Sequence, residues 1–404
     1  MAENYDRLET RGADERRADQ SRSLCELLKS SLPSAPGLAA HLDGVSPADV
    51  TDLDDLPKLP VLRKTDLIRL QAENPPFGGL TTGPVDHIFQ SPGPIYEPGM
   101  RSRDWWRIGR FLHACGVGRG DVVLNSFSYH LTPAGLIFEN GAEAVGATVL
   151  PAGVGQTELQ VRLAADAGAT AYAGTPDYLK SILEKADEMG VRLGITRAGV
   201  GGGALFPALR TAYAERGIAC LQNYATADIG NIAYESQAME GMIVDEGVIL
   251  EIVRPGTGDR VSPGEVGEVV VTALNPDYPL IRFATGDLSA ILPGESPCGR
   301  TNMRIRGWMG RADQTTKVKG MFVRPEQVAD LVARHPEVNR ARVVVRRMGD
   351  ADDMTVIFEA DAADGGALES SIRAVLKVKG KAEIVALGAL PNDGKVIDDE
   401  RQYD

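Results

Sequence analysis

"GEVGEVVVTALNPDYPLIRFATGDL", residues 264–288, decides how the chain reads. GEVVVTAL (267–274) is an apolar β-type run, and the turn-rich GTGDRVSPGE (256–265) separates it from a second one, GVILEIVRP (247–255). Further on, YPLIRFATGDLSAIL (278–292) places an acid, Asp287, on a Thr-Gly turn just after an apolar strand. A carboxylate there can accept two hydrogen bonds from a ribose diol, or it can simply bind its own backbone as turn aspartates do. The β-rich texture after residue 235 reads as a smaller β subdomain beside whatever precedes it.

What precedes it alternates. The β-type runs DVVLNS (121–126), ATVLPAG (147–153), TAYAG (170–174), RAGVGG (197–202) and ACLQNY (219–224) are interleaved with helical patterns such as ELQVRLAADAG and DYLKSILEKADEMG. Strands alternating with helices predict βαβ units and a mainly parallel sheet. In such sheets ligands sit at the carboxyl ends of the strands. The segment before residue 90 reads as irregular apart from a helix over SRSLCELLKSSL. The last ninety or so residues form a separate pattern. KVKGMFV (317–323) reads as a strand, followed by a helix with Val328, Leu331 and Val332 on one face. The strands ARVVVRR and MTVIFEA follow, joined by MGDADD as a hairpin turn. A helix carrying Leu368, Ile372, Val375 and Leu376 and the strand AEIVAL complete the order βαββαβ. The fold expected is α/β: a large N-terminal α/β domain (1–311) with a β subdomain at about 236–310, and a small mobile C-terminal α+β (βαββαβ) domain (312–404).

The 404 residues carry 43 Lys and Arg against 56 Asp and Glu, a net charge of −13, which argues against a nucleic-acid footprint. No apolar run is long enough to span a membrane and no signal-peptide pattern opens the sequence, so a cytoplasmic protein without a membrane partner is expected. The four cysteines (Cys25, Cys115, Cys220, Cys298) and five histidines show no metal or redox spacing.

Three more stretches place unusual polar residues beside strand ends. In GWMGRADQTTKVKG (307–320), Arg311 is a fixed cation suited to a phosphate or ribose, or equally to an interdomain salt bridge, and Asp313 lies where a hinge would rotate. In LPNDGKVIDDE (390–400), Lys395 would ordinarily be a solvated charge. In LQNYATADIGN (221–231), Tyr224 can stack on a base and Asp228 can hold a divalent metal, or they are a half-buried Tyr and a helix-start Asp.

In this order and spacing, these stretches resemble the adenylate-forming superfamily, in its phenylacetate–CoA ligase type. The resemblance also takes in DLDDLPKLP, GVGRGDVVLNS, NGAEAVGATVLPAG, GTPDYLKSILEKA, CGRT, GRADQTTKVKGMFVRPEQV and the terminal GKVIDDER, from about residue 50 onward. It implies an enzyme that joins a small aromatic (aryl or arylacetic) carboxylic acid to AMP and then to coenzyme A, using ATP and Mg2+. The family's ribose-binding acid falls on Asp287, its adenylate-contacting arginine on Arg311 and its catalytic lysine on Lys395, which bridges carboxylate and α-phosphate. The hinge falls on Asp313, and Gly320 lets the pantetheine arm pass. VGGGALFP (200–207) matches the wall of the adenine site at Gly202, Gly203 and Ala204, with Tyr224 beside it. SYHLTPAG (128–135) matches the acid pocket, at Tyr129 and Thr132, with Ala225. A homodimer is also expected.

The departures are local. Where the family's phosphate loop reads Ser-Ser-Gly-Thr-Thr-Gly-Lys-Pro, this chain has QSPGPIYEPG (90–99), with Ser91 and Gly93 as remnants and Glu97 placed to repel phosphates. The family's Tyr-Gly-x-Ser/Thr-Glu reads Tyr224-Ala225-Thr226-Ala227-Asp228, so the metal carboxylate is kept one methylene shorter and a hydroxyl is lost at Ala227. Of a cysteine–histidine zinc site found in some relatives only Cys298 remains, beside AYES (233–236) and EGMIVDE (240–246), so no zinc is expected. Two rival readings follow: an acyltransferase that takes a ready-made acyl-adenylate to a non-CoA acceptor, and a non-catalytic paralogue.

Overall fold

A computed structural model describes residues 4–312, 315–319, 321–348 and 351–401. The chain divides into two units, Met1–Leu250 with Val271–Phe283 and Leu292–Gly307, and Glu251–Val270 with Ala284–Ile291 and Trp308–Asp404. The C-terminal block expected from residue 312 falls wholly in the second unit. That unit also takes in two segments of the β-rich stretch.

The first unit is organised by parallel strands. Val122–Asn125 pairs in parallel with Thr148–Pro151 on one side and Ala171–Gly174 on the other, and Arg197–Val200 and Ala219–Thr226 continue the ladder. The chain runs outward from Val122–Asn125, then crosses back past it to Ala171–Gly174. A reversal of this kind opens a crevice at the carboxyl ends of the strands. Gly230–Tyr234, Met242–Val244 and Arg304–Ile305 extend the sheet antiparallel.

The connecting helices obey the 3.6-residue period. Pro176–Glu188 starts with Pro176, whose missing N–H costs nothing in the first turn. It buries Leu179, Ile182, Leu183 and Ala186 along one stripe, each large apolar side chain contributing about 1.5–3 kcal/mol. It ends where Gly190 adopts φ +65°, with Val191 N–H donating to the Ala186 carbonyl (2.9 Å) and Gly190 N–H to that of Asp187 (3.0 Å).

The N-terminal segment is less irregular than expected. A helix covers Ala13–Ser31, eight residues longer at its start than the apolar pattern implies for it, and Pro36–His41 and Lys64–Glu73 are also helical. Buried charge anchors it. Glu246 accepts hydrogen bonds from Arg11 (2.7 Å) and from Nε and NH2 of Arg16 (3.1 Å each), while Glu9 accepts from the Tyr234 hydroxyl (2.7 Å) and Arg300 Nε (2.9 Å). These charged side chains read as surface in the sequence because their partners lie more than two hundred residues away.

QSPGPIYEPG is not a loop. His87–Ser91 and Ile95–Gly99 pair antiparallel, from His87 opposite Gly99 to Ser91 opposite Ile95, around a Pro92-Gly93-Pro94 turn. The Gln71 side chain, on the helix Lys64–Glu73, bonds both the Tyr96 N–H (2.9 Å) and carbonyl (2.7 Å), which caps this strand. Proline removes donors that a phosphate would use, and others go elsewhere, the Tyr96 N–H to Gln71 and the Gln90 N–H to the Leu131 carbonyl.

In the second unit, Met321–Val323, Pro325–Ala333, Arg340–Met348, Ala351–Glu359, Gly365–Leu376 and Lys381–Val385 supply the expected βαββαβ order. The first strand differs from expectation. KVKGMFV is two short strands, Thr316–Val318 and Met321–Val323, paired as a hairpin and not as part of the main sheet. The four-stranded sheet instead gains Ile397–Asp399, parallel to Arg340–Met348. The stripe Leu368, Ile372 and Leu376 and the pair Val328 and Leu331 close over this sheet in one apolar cluster. Gly349 and Asp350 of MGDADD lie outside the described residues.

Candidate active site

In the first unit the candidate residues collect at the carboxyl ends of the parallel strands. Tyr129 follows Val122–Asn125, Gly202, Gly203 and Ala204 follow Arg197–Val200, and Tyr224 and Ala225 end Ala219–Thr226. Gly202, Gly203 and Ala204 are exposed and Tyr224 is buried. The Tyr129 hydroxyl donates to Glu139 Oε2 (2.7 Å) and accepts from Asn125 Nδ2 (2.7 Å), and burial with the Glu139 charge raises its pKa. That hydroxyl is therefore committed within the fold, and what Tyr129 can offer a ligand is its ring. Thr132 is half-buried in the same segment, which is tied to the hairpin by Gln90 N–H to the Leu131 carbonyl (2.9 Å).

Asp228 follows Ala219–Thr226 in the turn before Gly230–Tyr234, not at a helix start. Burial raises its pKa against the pull of Lys64, whose Nζ lies 3.5 Å from Asp228 Oδ2. Glu97, expected to face incoming phosphates, points inward instead and is 1% exposed. Ser91 Oγ, the phosphate-loop remnant, donates to Glu97. Burial, outweighing the Ser91 bond and helped by the Asp228 charge, pushes Glu97 up to about 7.

A carboxyl raised on folding holds, between its ordinary pKa and its folded one, a proton that the unfolded chain lacks. Stability therefore falls as pH rises through that window, by about 1.4 kcal/mol for each unit of the shift. With divalent cations chelated, Glu97→Gln is expected to raise the melting temperature at about pH 8 and to change it little at about pH 5. Thermal unfolding at both pH values checks this, and an equal effect at the two would contradict it.

In the second unit Asp287 lies within the strand Phe283–Ser289, not on a turn. The Thr-Gly pair that suggested a turn is a kink in the strand, where Gly286 takes φ +75°, a value that suits glycine. Asp287 Oδ1 accepts from Arg311 NH1 (3.0 Å) and Trp308 Nε1 (3.0 Å), and the two backbones meet in an antiparallel bridge at Asp287 and Arg311. Two residues separated by more than twenty positions are thereby brought together, and Arg311 is found in an ion pair, one of the two roles open to it in the sequence. Trp308 is the partner that sequence reasoning missed. Its position in GWMGR, three residues before Arg311, was the available signal. Lys395 follows Gly394 just before Ile397–Asp399, and its Nζ lies 3.0 Å from Asp398 Oδ1. It also lines a cavity of about 220 Å3 with Val266, Val328, Val332 and Leu390. Asp313 and Gly320 lie outside the described residues.

At the degenerate zinc position, Cys298 is hydrogen-bonded with Ser296 (3.1 Å) and approached by Arg300 NH1 (3.7 Å). Burial raises its thiol, but hydrogen bonds from Ser236 first, then Ser296 and Arg300, outweigh it and leave the pKa lowered. Among the described residues, no three His, Cys, Asp or Glu side chains gather into a metal-holding group, and no helix is long and apolar enough to cross a membrane.

This architecture is that of the adenylate-forming enzymes. 2-Hydroxyisobutyryl-CoA ligase, solved in an open conformation with 2-HIB-AMP and CoA, superposes with a TM-score of 0.72 over 95% of this chain and 91% of its own at 24% identity. The same ligase in the thioesterification state superposes at 0.71. No family model matches the chain. Its curated relatives are specific, however. The phenylacetate–coenzyme A ligase of Thermus thermophilus is 31% identical over 373 residues, 87% of this chain and 83% of that protein. The Pseudomonas putida enzyme of the same name is 29% identical over 96% of this chain and 95% of its own, and the Escherichia coli one 30% over 88% and 84%. The chain belongs to the phenylacetate–CoA ligase family.

Proposed function

We propose that this protein activates a small aromatic carboxylic acid, aryl or arylacetic, with ATP and passes it to coenzyme A. In the first step a carboxylate oxygen attacks the α-phosphorus and the bond to pyrophosphate breaks, giving acyl-AMP. In the second the CoA thiol, losing its proton, attacks the acyl carbon and AMP leaves. The observation that carries this reading is the near full-length relationship to phenylacetate–CoA ligases.

On this reading Asp287 receives the ribose diol, Arg311 contacts the adenylate, and Trp308 holds Asp287 in place. Gly202, Gly203, Ala204 and Tyr224 wall the adenine. The ring of Tyr129, with Thr132 and Ala225, lines the acid pocket, and a ring with its hydroxyl already committed suits an aromatic acid. Lys395 leaves Asp398 to sit between the carboxylate and α-phosphate, where a desolvated ammonium neutralises both. Residues 312–404 turn as a mobile domain about Asp313, bringing Gly320 to the pantetheine arm. Mg2+ would balance triphosphate charge, and the buried, partly unpartnered carboxylate of Asp228 is of the chemistry to hold it. The protein acts in the cytoplasm as a homodimer.

The hairpin at 87–99 favours one second reading, in which acyl-AMP is made poorly or elsewhere and only the transfer step is efficient. A panel of aryl and arylacetic acids with ATP and CoA, followed by mass, tests the first. Equal amounts of AMP and one acyl-CoA are expected, and AMP without any acyl-CoA would contradict it.

A further inference from the structure

The cavity of about 220 Å3 lies wholly within the second unit, and of the residues assigned to the adenylate only Lys395 lines it. Its body is apolar. Val328 and Val332, one turn apart on the helix Pro325–Ala333, face Val266 and Leu390 across it. Val332 stays half-buried although it belongs to the apolar stripe of that helix. The walls are fixed from two sides. Asn392 Nδ2 donates to the Gly264 carbonyl (3.2 Å) and its Oδ1 accepts from the Val266 N–H (2.9 Å). Gly394 passes so close that a Cβ there would lie 2.7 Å from Val266 Cγ1. On the other side Arg340 donates to the Leu390 carbonyl (3.0 Å) and the Leu390 N–H to Glu359 (2.7 Å). The cavity is therefore formed before any ligand arrives, as small-molecule sites usually are.

Its charges favour an anion. Four cations line it, Arg254, Arg340, Arg342 and Lys395, against the carboxylates of Asp259 and Glu265. Arg340 and Arg342 are committed to Glu359 and Asp393. Arg254 is not: its NH1 donates to the Asn339 carbonyl (3.0 Å), and among the described residues no carboxylate pairs with it. Lys395 has a half-exposed contact with Asp398, which a ligand can replace. Asp259 is exposed, and Glu265 acts on Arg340. Size narrows the ligand further, since an apolar cavity of about 150 Å3 takes up benzene. We propose that this cavity is a second binding site, for a small aromatic monocarboxylate, with the ring among Val266, Val328, Val332 and Leu390 and the carboxylate on Arg254 and Lys395. Its effect on catalysis rests on the ligase reading, but its binding does not. An acid held there keeps Lys395 from the α-phosphate, so excess acid inhibits adenylation from outside the pocket at Tyr129.

The probe is benzoate, titrated without ATP or CoA into the full chain carrying 13C-labelled Val and Leu methyls. Saturable shifts of the Val328, Val332 and Leu390 methyls are expected, with a Kd of about 1 mM or tighter, and benzylamine should leave them in place. Arg254→Gln should weaken binding by about ten-fold, the usual effect of losing a charged donor. Ala329→Phe, which fills the cavity from the same helix, should abolish it. No saturable shift of these methyls in the unaltered protein at about 20 mM benzoate would overturn the proposal. So would equal shifts with benzylamine, or a folded Ala329→Phe protein that binds as tightly. The wild-type titration decides the question even where a variant fails to fold. In turnover, pyrophosphate exchange should fall at high acid, and Ala329→Phe should remove that fall while leaving the rate at low acid unchanged. Failure of the ligase reading would appear separately, as no exchange with any acid while the methyl shifts remain.

Discussion

Lys395→Ala is expected to lower acid-dependent pyrophosphate exchange into ATP by about 10²–10³-fold, while transfer from synthetic acyl-AMP to CoA persists. The size follows from the role. Carboxylate and triphosphate are both anions, and removing one preorganised donor aimed at developing charge costs about 2.7–4 kcal/mol in comparable sites. The residual rate measures what Arg311 and bound metal supply without it. The fold should not suffer. Lys395 is half-exposed and its contact with Asp398 spans a single turn of chain, so losing that contact costs at most about 1 kcal/mol. The same contact is weak enough to be exchanged for a ligand. An equal loss in both half-reactions would place Lys395 in general binding and not in adenylation. A loss below about three-fold, roughly 0.7 kcal/mol, would remove it from the chemistry.

The largest stability effect is expected at the opposite end of the chain. Glu246 is buried and faces two buried guanidiniums, Arg11 at 2.7 Å and Arg16 at 3.1 Å. Glu246→Ala leaves both cations without their main counter-charge. Asp19 still holds Arg11, and Thr301 and the Leu8 carbonyl still hold Arg16, but none of these replaces a carboxylate shared by both. Breaking a buried pair by deleting one partner costs about 3–5 kcal/mol, and a domain of 150–250 residues loses about 2–4 °C of melting temperature per kcal/mol, so a fall of order 10 °C is expected. Glu246→Gln keeps the shape and one acceptor and should fall by less. Thermal unfolding of the two variants beside the parent checks this, and a change below about 1 °C in Glu246→Ala would show that the N-terminal helix is held by apolar packing alone.

The sequence revealed the parallel core because each strand there is short, apolar and followed by a helix of clear period. DVVLNS, TAYAG and RAGVGG all became strands at nearly the positions expected. The hairpin at 87–99 was hidden because three prolines and two glycines look like a loop, and because the side chain that caps it, Gln71, comes from a separate helix earlier in the chain. The inward turn of Glu97 was hidden for the same reason. Strand alternation sends every second side chain inward, and only the pairing register says which. Asp287 and Arg311 were legible as residue types in the right order. Their meeting with Trp308 was not, because the only hint of it was the position of Trp308 three residues before Arg311, and an indole there reads equally as packing. Lys395 was legible only through its place in the terminal GKVIDDER, since a lysine in a Pro/Asn/Gly loop is otherwise an ordinary surface charge.

The central claim is that the chain still forms acyl-adenylate itself, although the loop that would grip pyrophosphate has become a closed hairpin. Pyrophosphate exchange into ATP, measured on the unaltered protein with Mg2+ and each of a set of aryl and arylacetic acids, tests it most directly. The prediction is exchange that requires the acid and proceeds without CoA. No exchange with any acid, alongside efficient product formation from synthetic acyl-AMP, would contradict it and leave a transferase in its place.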